Sequence, residues 1–260
     1  MTKVVAGAMV GLFIFALALT PPANAALDQF GKLELLGGAE KEPGGSGGGR
    51  GTLLGLGVLP LVGNFGLQGI VQSQWGSGWR LGLGLGPILD FGGGKAGFFV
   101  NYQYRAQGTN NLVFLNPSLA LYFNQSNMNF WYSHPVAGSQ SYNRLEWEIS
   151  YFNASDWWAP FLRRDNVQLT GGLQVNSFAG SGNFGTGVGP VLGINFMPVP
   201  GVGVKLFNLT FDFNQSRYHV NSGVEVFFGR GTQTLKEVRR KYLEPNITQT
   251  PGGGVGEDHS

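Results

Sequence analysis

The chain has 260 residues, of which 12% are charged, with a formal net charge of +2, 44 glycines and no cysteine. The charged share is about half the roughly 25% usual for soluble domains, and glycine far exceeds its usual share of about 7%. The missing cysteine excludes a disulfide framework, cysteine chemistry and a cysteine-borne lipid anchor, and the near-neutral charge gives no argument for nucleic acid.

Residues 1–25 read as a secretory signal. Lys3 supplies the positive start, Val4 to Leu19 is apolar, and Ala23-Asn24-Ala25 offers a small-x-small cleavage site before Ala26. The apolar stretch is shorter than the roughly 20 residues of a spanning helix, so export through the periplasm is the expectation.

From about residue 30 to 228, apolar side chains recur with period two, the signature of strands. Val167, Leu169, Leu173 and Val175 oppose Asn166, Gln168, Thr170, Gln174 and Asn176. Phe207, Leu209, Phe211 and Phe213 oppose Asn208, Thr210, Asp212 and Asn214. About twelve such runs occur, near 31–37, 51–62, 64–75, 78–90, 96–105, 112–123, 127–134, 141–152, 166–178, 184–197, 203–213 and 216–228. Turn-rich pieces such as "FGGGK", "QGTNN" and "PVPG" divide them.

A soluble β-sandwich hides its apolar face, whereas a transmembrane barrel turns that face to lipid and encloses the polar one. Here the polar set holds Arg80, Arg105, Arg144, Glu146, Glu148, Asp212, Arg217, His219 and Glu225, charges that can pair inside a lumen. Trp75, Trp79, Phe91, Tyr122, Trp131, Trp157, Trp158 and Phe228 sit near strand ends, as in the aromatic girdles at headgroup level. The expected fold is therefore all-β, an antiparallel transmembrane β-barrel of about twelve strands over residues 26–229, with a polar lumen and an apolar lipid-facing exterior. Residues 230–260 are expected as a short basic helix around Leu235 to Leu243, stopped by Pro245, and a disordered glycine-rich tail hanging in the periplasm. With both termini on that side, the long "ASDWWAPFLRRD" connection falls where turns are usually short.

Most polar motifs have a structural explanation. "GGSGGGRG" lacks the Gly-Lys-Ser/Thr end of a phosphate loop. His134, His219 and His259 share no metal-ligand spacing, so neither a metal nor a cofactor is expected. His219 shares its face with Glu225, which suggests a structural pair.

The stretch "WYSHPVAGSQSYNRLEWEI" differs. Met128, Phe130, Tyr132 and His134 share the outward face of one strand, and Asn143, Leu145, Trp147 and Ile149 that of the next. A lipid-facing histidine opposite a lipid-facing asparagine is costly unless satisfied or used. His134-Pro135-Val136-Ala137-Gly138, then Ser141-Tyr142-Asn143-Arg144-Leu145, and later Phe213-Asn214-Gln215-Ser216-Arg217, resemble segments of the outer-membrane phospholipase A family. That family is a twelve-stranded barrel with a His-x-Ser-Asn-Gly motif followed by Ser-Trp-Asn-Arg-Leu. The resemblance covers mainly residues 127–228 and implies catalytic roles for His134 and Asn143 on the barrel's outside. The nucleophile position of the motif holds Val136, which cannot attack an ester. Ser133 points to the lumen, and Ser139 and Ser141 lie in or beside the loop.

The leading expectation is an exported protein of the cell outer membrane with a structural or small-solute channel role and no catalysis. Its partners are outer-membrane lipid and the barrel-assembly machinery, with no nucleic acid, and oligomeric state is left open. The alternative is a phospholipase A-like lipid hydrolase, degenerate or with a displaced serine. An anchor of the inverse-autotransporter kind ranks last, because the tail is too short to be an exported domain.

Overall fold

The computed structural model describes residues 27–41, 47–76, 79–105, 111–138, 141–156, 162–179, 186–214, 216–230 and 233–244. The signal segment, the glycine-rich tail, Trp157, Trp158 and Ser139 lie outside the described residues, as do the side chains of Arg105 and Ser141. Twelve strands follow in order: β1 (Phe30–Lys41), β2 (Gly48–Val62), β3 (Phe65–Trp75), β4 (Arg80–Asp90), β5 (Gly94–Arg105) and β6 (Leu112–Tyr122), then β7 (Ser126–Ala137), β8 (Ser141–Phe152), β9 (Val167–Ala179), β10 (Gly187–Val199), β11 (Val202–Asp212) and β12 (Arg217–Gly229). Each pairs antiparallel with its neighbours in sequence. β1 closes on β12 in unbroken register from Phe30↔Gly229 to Lys41↔Tyr218.

Closure removes every sheet edge, the condition for strands to cross lipid. Period two then assigns the faces. In β1, Leu33 and Leu35 are 49% and 56% exposed, while Lys32 and Glu34 between them are 3% and 4% exposed. No helix among the described residues is long and apolar enough to span a membrane; the strands do the crossing.

Four connections at the end carrying both barrel termini have only two or three residues, and Gly63, Gly92 and Gly201 take positive φ there, at 54°, 77° and 80°. The exception is the link between β8 and β9. It is ordered by Asn153, whose side chain donates to the carbonyls of Ser155 at 2.9 Å and Arg163 at 2.8 Å and accepts from the Val167 amide at 2.8 Å. Some inward glycines set how closely strands approach: a Cβ at Gly189 would run into the Phe211 carbonyl, and one at Gly223 into that of Leu35.

The lumen is not polar throughout. At the short-turn end Phe30, Val58, Ile88, Phe99, Phe152, Met197 and Phe227 form one buried cluster with Leu235, Val238, Tyr242 and Leu243. The last four belong to the segment after the barrel, which therefore sits inside the end of the barrel. It begins with α1 (Leu235–Arg239). Thr234 caps α1 in a capping box: its hydroxyl accepts from the Glu237 amide at 3.2 Å, and its own amide donates to the Glu237 carboxylate at 3.1 Å. The expected helix to Leu243 stops at Arg239. Beyond it the main chain finds other partners, since the Leu243 amide donates to Gln68 Oε1 at 2.9 Å and its carbonyl accepts from Gln68 Nε2 at 2.5 Å.

Three aromatic assignments change. Phe91 is buried against Ala96 and Leu119 rather than exposed in a girdle. Trp131 lines the lumen rather than a girdle. Tyr122 packs against the internal cluster, its hydroxyl 3.3 Å from the Arg240 carbonyl, with the Arg240 guanidinium 5.2 Å over its ring. Trp75, Trp79 and Phe228 remain exposed near strand ends.

Candidate functional site

Two places in the barrel concentrate polar chemistry. The first is the outward hairpin of β7 and β8. The register Tyr132↔Leu145 and Ser133↔Arg144 brings His134 opposite Asn143. His134 Nδ1 lies 2.6 Å from Asn143 Oδ1, and the Tyr132 hydroxyl donates to the same oxygen at 3.0 Å. The Tyr132 and His134 rings stack with centroids 6.2 Å apart at 14°. An amide oxygen has two lone pairs and donates nothing, so Nδ1 carries a proton, and in the neutral ring Nε2 then keeps its lone pair. An oriented imidazole with a basic Nε2 is two-thirds of a hydrolytic triad.

The remaining third does not assemble among the described residues. Val136, two residues along the same face, is 50% exposed and has no nucleophilic atom. Ser133 is buried on the lumen side and accepts a hydrogen bond from Asn116. Ser177, which the sequence reading passed over, pairs with Asn143 in β9. It lies two strands from His134, roughly 9–10 Å at the usual strand spacing, on the far side of the amide from the imidazole. The hairpin therefore orients a base and offers it nothing to activate.

The second place is the lumen. Around the docked segment, three cations meet three carboxylates. Lys32 Nζ contacts Glu34 at 2.7 Å, Glu225 at 3.1 Å and Glu244 at 2.8 Å. Lys205 Nζ reaches Glu34 at 3.1 Å and Glu225 at 3.5 Å. Arg239 grips Glu225 with two bonds, at 3.0 Å and 2.5 Å, and Glu244 with one at 2.9 Å. The oxygens of Glu34, Glu225 and Glu244 lie within 4.8 Å of one another, a metal-like spacing, yet their charge is already neutralised by the three cations. Burial opposes ionisation of Glu244, but Lys32 and Arg239 outweigh it and hold that carboxyl well below the usual range. Burial pushes the Tyr242 phenol well above its usual range.

This network corrects the expected pairing of His219 with Glu225. Six residues along one strand span about 20 Å, and Glu225 instead meets Lys32, Lys205 and Arg239 at the opposite end. Farther from the segment, Arg50 pairs with Glu40 at 2.6 Å, and Arg144 pairs with Glu146. Between lies a cavity of about 170 Å³ whose lining includes Gln74, Asn129, Trp131, Glu146, His219 and Asn221.

Sequence reasoning did not assign Arg239, Tyr242 or Glu244 to the lumen. The available signal was Thr234-x-x-Glu237 ahead of the apolar pair Leu235 and Val238, a capped amphipathic turn with no other surface to bury it.

The architecture defines a transmembrane β-barrel of the outer-membrane type. The solved KdgM porin superposes with a TM-score of 0.54, at 10% identity over 76% of this chain and 99% of that one. The NanC porin does so with a TM-score of 0.56, at 8% identity over 75% of this chain and 99% of that one. At these identities the likeness is one of fold. No protein-family profile matches the chain, and no curated protein matches its sequence.

Proposed function

We propose that the chain is a non-catalytic barrel of the outer membrane, exported through the periplasm and inserted by the barrel-assembly machinery, whose lumen admits small solutes. The observation that carries this reading is the lumen itself. Amides and paired charges from many strands face a common cavity, a lining that a purely structural barrel does not require. Around the docked segment those charges are compensated, three of each sign, which suits small neutral or zwitterionic solutes there. The porin neighbours share the fold and support the same reading.

A second reading is favoured by one observation, the contact of His134 with Asn143 and Tyr132. The hairpin would be a phospholipase A-like lipid site that lacks its nucleophile at Val136. The deciding experiment is reconstitution of the folded chain in planar bilayers and in liposomes loaded with small zwitterions. Stepwise conductance and solute efflux are the expected result. A folded, inserted protein that passes neither ions nor solutes would overturn the channel reading.

A further inference from the structure

We propose that Thr234–Glu244 is a gate, a segment that closes the short-turn end when docked and withdraws as a unit to open it. This rests on the channel reading above. Leu235, Val238, Tyr242 and Leu243 fill the cross-section at that end, among Phe30, Phe99, Phe152 and Phe227. The segment follows β12, which ends at Gly229 on the same end of the barrel, so it enters through the open mouth and not through the wall.

Its attachments belong to a docked ligand and not to a thirteenth strand. None is a ladder bond. Lys236 donates its amide to the Asp165 carbonyl at 3.0 Å and its ammonium to the Asp165 carboxylate at 2.7 Å. The Leu235 amide donates to Asn166 Oδ1 at 3.1 Å. Arg240 holds Asn127 at 2.9 Å and the Phe123 carbonyl. Withdrawal therefore breaks no strand pairing.

Electrostatics makes the two positions interchangeable. Docked, the seat holds Lys32, Lys205 and Arg239 against Glu34, Glu225 and Glu244, three charges of each sign. The departing segment takes Arg239 and Glu244, already joined at 2.9 Å, and so leaves with no net charge from the pair. The wall keeps Lys32 and Lys205 against Glu34 and Glu225, two of each sign and still in contact at 3.5 Å or less. A buried ion stranded without its partner is what ordinarily forbids such a movement; here the buried seat strands none in either position, and Asp165, which loses Lys236, keeps Arg164 at 3.8 Å. The long β8–β9 connection supplies the latch, because Asp165 and Asn166 hold the first turn of α1.

The test uses the full chain, whose lack of cysteine makes an engineered pair unique. The Lys236–Asp165 main-chain bond sets their α-carbons about 5–6 Å apart, inside disulfide range. Single-channel recordings compare wild type, Asp165→Cys with Lys236→Cys, and Val238→Asp, each confirmed as folded by heat-modifiable gel mobility. Wild type should fluctuate between closed and open levels. The oxidised cysteine pair should stay closed and regain wild-type opening on reduction. Val238→Asp, which puts a charge into the apolar seat, should raise the open-to-closed ratio by about tenfold or more. A lock that conducts like wild type in the oxidised state, or Val238→Asp as closed as wild type, overturns the gate while leaving the channel standing. Three folded proteins that never conduct would overturn the channel reading and the gate with it.

Discussion

Replacing Tyr242 with alanine should release the docked segment far more than replacing it with phenylalanine. The ring is 2% exposed and stacks on Phe30 with centroids 5.3 Å apart at 11°. Its hydroxyl accepts from Arg239 at 2.5 Å and donates to Glu244 at 2.9 Å. Truncating a large buried aromatic side chain costs about 3–5 kcal/mol in closed cores. Water can fill this gap from the lumen, so the lower end applies, and about 3 kcal/mol is roughly a hundredfold shift toward the undocked form. Tyr242→Phe keeps the ring and loses two hydrogen bonds, about 1 kcal/mol after the neighbours rehydrate, or roughly fivefold. Lys236, Arg239, Arg240 and Lys241 make the segment a tryptic target once it leaves the barrel. Where opening is fast relative to cleavage, the digestion rate follows the undocked population. The rates in folded protein should therefore rank alanine, phenylalanine, wild type, with a gap of more than tenfold between the first two. Equal rates for all three would refute the reasoning, since the ring would not be what holds the segment.

Gly189→Ala should destabilise the barrel by about 1–3 kcal/mol in a urea titration, because its Cβ meets the Phe211 main chain. Gly57→Ala, which faces open space, should be neutral, and equal effects would show the close approach to be unimportant. Wild type should not hydrolyse micellar phospholipid, whereas Val136→Ser should gain roughly 10²-fold over background if the oriented imidazole can serve as base; silence in both removes the hydrolase reading. Docking should be flat from about pH 5 to 9.5 by tryptic digestion or, at the acid end, by conductance. Glu244 has a depressed value, so its contribution is complete above the usual carboxylate value of 4.5 and is lost only as pH falls below it. The raised Tyr242 phenol contributes below its usual value of 10.0, and that part is lost as pH rises beyond it. Release near neutral pH would mean that another group controls the seat.

The barrel was legible because lipid imposes a simple rule. Leu33, Leu35, Leu209 and Phe211 must alternate with residues that avoid lipid, and closure requires an even alternation around the whole sheet. The His134–Asn143 contact was legible for the same reason, since a short hairpin fixes its register. Tyr122 was misplaced because an aromatic side chain at a strand end suits a girdle or a core equally well until the face is known. Trp131, by contrast, lies in the middle of β7, and the alternation that turns Phe130 and Tyr132 outward already turns it inward. The docked segment was hidden for a different reason. Period two tells which side of the wall a residue faces, but not whether another part of the chain occupies the lumen. Arg239 and Glu225 are joined by tertiary geometry that no local pattern encodes.

The docked segment also spans the seam of the barrel. Tyr242 stacks on Phe30 of β1, Arg239 binds Glu225 and sits 5.9 Å over the Phe227 ring of β12, and Lys32 joins the two sides with Glu225 across 193 residues of sequence. Every other strand pairing links neighbours in the chain, whereas the seam must wait for both ends of the sheet to arrive. Its closure carries the largest loop entropy in the molecule and is the natural slow step of assembly. A clasp made from the last residues of the fold acts at that joint. It would slow reopening of the seam more than it speeds the first approach of β1 to β12, and so lengthen the life of the closed barrel in the membrane.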